Sequence, residues 1–166
     1  ISEVREEIMI RHFIAAGILA SVSTFAYAVP VSPQDVIRVL KANGATDVSS
    51  ETDEDGNGVE VYGTINDVNF IANAIDCNPG NTSCKAILFF ANFDLDRAAE
   101  PEDYVKANEY NDGRTWGRAY VLDDQIGIDY AVDLYDENRF GTNEVETWGV
   151  IIDSFLEHND DADKAK

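Results

Sequence analysis

The chain has 166 residues and a formal net charge of −20, set by 32 Asp and Glu against 12 Lys and Arg. A surface this acidic repels phosphate backbones and anionic membranes, so the composition argues against nucleic-acid binding and peripheral lipid binding. The same charge also keeps an exported protein soluble.

Residues 9–28 read as a secretory signal peptide: Arg11 and His12 follow Met9, an apolar run extends from Phe13 to Phe25, and Ala26-Tyr27-Ala28 supplies the small-x-small cleavage pattern. The run falls short of the roughly 20 apolar residues that span a bilayer, and no basic stop-transfer flank follows. Residues 1–8 fit this reading badly, because Glu3, Glu6 and Glu7 precede the basic stretch. They are set aside as an N-terminal extension, with Met9 as the expected start and cleavage after Ala28. The expected location is periplasmic or secreted, with no membrane attachment after cleavage. Residues 29–166 then form one domain, with a core over 32–156 and a charged tail over 157–166.

Ser32-Pro33-Gln34-Asp35 is a helix start, with Ser as N-cap, Pro in the first turn and Asp able to bond back. Val36, Ile37 and Leu40 share one face of that helix, and Gly44 is placed to end it. A short edge strand is expected over Asp47–Thr52. Asp53 to Gly58 follow as a turn rich in residues that tolerate left-handed backbone. Asp53-x-Asp55-x-Asn57-Gly58 matches the opening of an EF-hand loop, but Thr64 stands where the twelfth-position Glu belongs and the flanks read as strands. Asp53, Asp55 and Asn57 are therefore candidates for weak cation contact only.

Val59–Ile65 and Val68–Asp76 read as two strands joined at Asn66-Asp67, which suits a tight hairpin. Cys77 and Cys84, the only cysteines, flank a Pro-Gly turn and read as a disulfide that pins two strands in an oxidising compartment. The loop-entropy argument assigns such a bridge about 2.5 kcal/mol. A redox-active pair is disfavoured, because only Lys85 is near enough in sequence to lower a thiol pKa. Lys85–Phe93 is apolar at both parities and is expected to be a central strand buried on both sides.

A second helix is expected from Pro101 to Asn111, with Gly113 just past its end. Strands follow over Trp116–Leu122 and Ile126–Tyr135, joined by Asp123-Asp124-Gln125. In the latter, Ile126, Ile128, Tyr130, Val132 and Leu134 share one face, while Gly127, Asp129, Ala131, Asp133 and Tyr135 share a wet one. A last helix opens at Thr142 or Asn143 and aligns Val145, Trp148, Ile152 and Phe155 on its core face.

No catalytic residue emerges from this inventory. After cleavage one histidine remains, His158, beside the acidic terminus, so neither a nucleophile–imidazole system nor a histidine zinc site can be assembled. Phosphate-cradling glycine motifs are missing, so no cofactor is expected. Carboxylate-only catalysis, as in glycoside hydrolysis, stays formally open, but with acids this abundant it is a weak signal. The chain reads as a binding protein rather than an enzyme.

Three stretches resemble the YbjN domain, a family of bacterial sensory transduction regulators. They are Ser32–Ala45, the cysteine pair with the Lys85–Phe93 strand, and Asn108-Glu109-Tyr110-Asn111 running into the Arg114–Tyr120 segment with its Trp116 and Arg118. The resemblance implies an α+β fold similar to type III secretion chaperones: a twisted antiparallel sheet packed by helices in the order α-ββββ-α-ββ-α. It implies a protein or peptide partner, allows a homodimer, and brings no catalytic residues. The residues it singles out are Asn108, Tyr110, Asn111, Trp116 and Arg118. The pair Asn108 and Asn111 is expected to bond backbone near a helix C-terminus. A module for a small ligand or cation, built on the acidic turn, is the alternative function.

Overall fold

The computed structural model describes residues 31–52, 58–135 and 140–164. The leader-like residues 9–28, the extension before them and the acidic turn with Asp53, Asp55 and Asn57 lie outside the described residues.

Helix α1 (Pro33–Ala42) starts on the expected capping box: Asp35 N donates to Ser32 Oγ at 3.3 Å and Ser32 N donates to the Asp35 carboxylate at 3.1 Å. It buries Val36, Val39 and Leu40, with Ile37 half-buried at the margin, and Gly44 follows with φ +89°. Strands β1 (Thr46–Thr52), β2 (Val59–Ile65), β3 (Val68–Ile75) and β4 (Ala86–Asp94) form a meander. Asn66 and Asp67, at φ 49° and 62°, make the two-residue hairpin turn whose twist matches the strands. Helix α2 (Pro101–Gly113), β5 (Arg118–Val121), β6 (Gln125–Asp133) and α3 (Thr142–Lys164) complete the chain. The order α-ββββ-α-ββ-α is the expected one.

All neighbouring strands pair antiparallel in one six-stranded sheet of spatial order β1-β2-β3-β4-β6-β5, so β1 is an edge strand and β4 is internal. One parity of the sheet carries the core. Val61, Phe70, Ala72, Ile87, Phe89 and Ile128 meet Leu40 from α1, Tyr110 from α2 and Trp148, Ile152 and Phe155 from α3 in a single buried cluster. The helices therefore contribute to one face of the sheet.

This one-sidedness corrects the expectation for the central strand. In β4 only Ile87, Phe89 and Ala91 are buried; Leu88 and Phe90 point the other way and stay half-exposed. Three corrections are smaller. Trp116 lies outside β5, because Gly117 turns the chain at φ +77° and presses so close to α3 that a Cβ there would sit 2.7 Å from Ile151 Cγ2. On β6 the face expected to be wet buries Gly127, beneath the Tyr120 ring, and Asp129, beneath the Arg118 guanidinium. The stretch expected to be a charged tail, from residue 157, continues α3 as far as Lys164, with His158 edge-on to Tyr110 at 5.6 Å.

Helix α2 is anchored electrostatically at its start. Asp103 accepts from Arg97 Nη1 at 2.6 Å and Nη2 at 2.9 Å, and from Glu100 N at 2.8 Å. The Arg97 hydrogen bonds, more than the backbone one, hold the buried Asp103 carboxyl down at about 2. A depressed folded-state pKa stabilises above the ordinary carboxylate range and loses that contribution as pH falls through it toward 2. Asp103→Asn should therefore flatten the acid limb: the stability gap between wild type and variant in urea melts narrows from pH 5 to pH 2.5. A constant gap would contradict the assignment.

Candidate functional site: the open face of the sheet

Opposite the helices, no helix among the described residues covers the second parity of the sheet. Strand register places Tyr62 against Ile71, Ile71 against Phe90, Phe90 against Asp129 and Asp129 against Arg118, forming one rung across β2, β3, β4, β6 and β5. The adjoining rung runs Glu51, Glu60, Asn73, Leu88 and Ala131. Ile75, at 36% exposed, lies further along β3 on the same parity. The middle of the face is therefore apolar, with Tyr62, Ile71, Leu88 and Phe90 each half-exposed. A hollow of about 380 Å³ opens there, lined by Asp47, Tyr62, Thr64, Asn69, Ile71 and Phe90.

Carboxylates frame this apolar strip. Glu51 and Glu60 stand directly opposite one another on β1 and β2. Tyr62 Oη donates to Glu60 Oε2 at 2.5 Å, and this hydrogen bond, with the nearby charge, pushes the phenol up to about 12. On the far side Asp129 binds Arg118 through both Nε, at 3.1–3.2 Å, and Nη2. Asp133 is exposed four residues further on, and Asp94 ends β4. Tyr120 covers Gly127 and donates to Asn92 Oδ1 at 2.5 Å, so the β5–β6 end of the face is polar and tied together.

The residues singled out by sequence scatter around this face. Arg118 alone belongs to it. Tyr110 is buried, its ring edge-on to Phe155 at 5.6 Å, and burial pushes its hydroxyl pKa up. Asn108 is exposed on α2. Asn111 does more: its Oδ1 accepts from Ala119 N at 2.8 Å and its Nδ2 donates to Ala119 O at 3.0 Å. One side-chain amide thus takes the place of a neighbouring strand and blocks the β5 edge against pairing. Trp116 is 60% exposed beside Val150 of α3, at 66%. Cys77 and Cys84 form the disulfide at the β3–β4 turn. His158 Nε2 lies 3.0 Å from Lys106 O, away from the open face.

Asn111→Ala leaves a backbone N–H and C=O without partners and frees an edge. The expected cost is about 2 kcal/mol, together with concentration-dependent self-association visible by sedimentation. Asn108→Ala should change neither. Equal effects of the two substitutions would contradict the edge-blocking role.

The open-face residues Tyr62, Ile71, Leu88 and Phe90 were not singled out in the sequence. Their signal was present in Lys85–Phe93, apolar at both parities, but the three helices of the described residues cover only one face of so wide a sheet.

The architecture of the described residues is that of an α+β domain whose six-stranded antiparallel sheet carries its helices on one face. The chain belongs to the YbjN family, described as "Putative bacterial sensory transduction regulator", whose model matches residues 32–165. No curated protein matches the sequence.

Proposed function

We propose that this YbjN-family chain is an exported, non-enzymatic regulator that acts by binding a protein or peptide on the open face of its sheet. The observation that carries the reading is the rung Tyr62–Ile71–Phe90 with Leu88 beside it. These large apolar side chains stand at the centre of a six-stranded sheet, and among the described residues no helix lies over them. Apolar side chains gathered in a strip on a surface otherwise rich in carboxylates mark an interaction site rather than scattered surface hydrophobics. Export is supported by the leader-like pattern of residues 9–28 and by the Cys77–Cys84 bridge, which suits an oxidising compartment. The regulatory role follows the family description.

The test is site-directed photo-crosslinking in the producing cell. A photoreactive residue at position 88 is expected to capture a partner. The same residue at position 150, beside Trp116 on the opposite side of the molecule, is expected to capture none. Capture at 150 alone, or at neither position, overturns the reading.

A further inference from the structure

The charge distribution around the open face says what chemistry a partner must have. We infer that the face receives a cationic amphipathic helix, its apolar side on Tyr62, Ile71, Leu88 and Phe90 and its basic side chains on the flanking carboxylates. This rests on the open face being the binding surface, as proposed above.

Three observations support it. The apolar strip spans β2 to β4, two inter-strand intervals or about 10 Å, which is the diameter of one α-helix. Both long sides of the strip carry acid: the exposed Glu51 and half-exposed Glu60 on the β1–β2 side, and the exposed Asp133 on β6. Within the face the one basic side chain of the described strands, Arg118, is already bound to Asp129. Moreover, Glu51 and Glu60 oppose one another in register, a like-charge pairing that destabilises a bare sheet and that a bound cation would relieve. A second copy of the chain fits poorly, since it would bring another net charge of −20 against the first.

A synthetic peptide of about 18 residues, Leu on one helical face and Lys on the other, is the probe. Titrated into the labelled protein, it is expected to move the NMR signals of Tyr62, Ile71, Leu88 and Phe90. Its affinity should fall about tenfold between about 0.05 M and 0.5 M salt. Phe90→Ser should weaken binding by at least about tenfold. The double change Glu51→Gln with Glu60→Gln should weaken it about fivefold. Glu102→Gln with Glu146→Gln, the same charge change on the helix side, should leave it unaltered.

If both Gln pairs act equally, or Phe90→Ser has no effect, the attraction is only that of an acidic protein for any cation and the inference fails. It also fails if a Leu/Glu peptide binds as well, or if Phe90 instead mediates a dimer by sedimentation. Partner capture at position 88 without Leu/Lys binding would sink the cationic-helix inference and leave the open-face reading standing. Failure of capture would sink both.

Discussion

Trp148→Ala is expected to lower stability by about 4 kcal/mol, whereas Phe90→Ser lowers it by about 1 kcal/mol or less. The two aromatics belong to opposite sides of the same domain. Trp148 is fully buried and packs at 5.4 Å from Phe89 and 6.1 Å from Phe70, so truncation opens a cavity lined by large rings. Its indole N–H is buried without a hydrogen-bond partner among the described residues, so there the side chain stabilises through packing. For a domain of this size the loss corresponds to a melting-point drop of about 10 °C. Phe90 is also aromatic but lies half-exposed on the other parity of β4, where no layer of the described residues packs over it. Differential scanning calorimetry of the two variants checks both numbers. A Phe90→Ser loss as large as that of Trp148→Ala would mean that the second face is covered, and the open-face reading would fall with it.

The contrast also shows which part of the fold local sequence could specify. Ser32 and Asp35 form a reciprocal cap within four residues, and Asn66-Asp67 form a hairpin turn within two. Both depend on nearest neighbours, and both are where the sequence places them. Helix α3 was equally legible, since Val145, Trp148, Ile152 and Phe155 repeat at helical spacing and all four are buried. The family was legible too, because three short stretches spread between Ser32 and Tyr120 resemble it, and its model matches residues 32–165.

What local pattern could not reveal is how many layers cover the sheet. Ile87 and Leu88 are neighbours of like hydrophobicity, yet one is buried beneath the helices and the other faces solvent. The difference depends on the placement of helices far away in sequence. Asn111 illustrates the same limit from the polar side. Its helix position suggested backbone bonding, but its partner, Ala119, becomes visible only once β5 lies alongside α2. Arg118 and Asp129 likewise meet across two strands, which is why a face expected to be wet is partly closed. The candidate site was therefore missed for a physical reason: its residues are distinguished by what fails to cover them.

Removing the disulfide should cost about 2.5 kcal/mol or somewhat more, measured as the difference in urea midpoint between oxidised wild type and the Cys77→Ser, Cys84→Ser double variant. The loop-entropy contribution accounts for the first part. Cys77 and Cys84 close the turn that delivers β3 into β4, and cutting the bridge gives the unfolded chain back its freedom. The additional cost arises in the folded state. Cys84 is buried, and its N–H donates to Val31 O at 2.8 Å in an isolated bridge just before α1. A serine hydroxyl at position 84 would be buried in place of sulfur, loosening the contact that ties the start of the described chain to the sheet. Cys77→Ser, at the half-buried end, should match reduction of the wild type, while Cys84→Ser should exceed it. Because β3 and β4 also carry Ile71, Leu88 and Phe90, the bridge holds two strands of the proposed binding face in register. Reduction should therefore weaken the Leu/Lys peptide before the domain unfolds, so hydrogen exchange on β3 and β4 should rise together with the dissociation constant. A reduced protein that binds as tightly as the oxidised one would confine the bridge to stability.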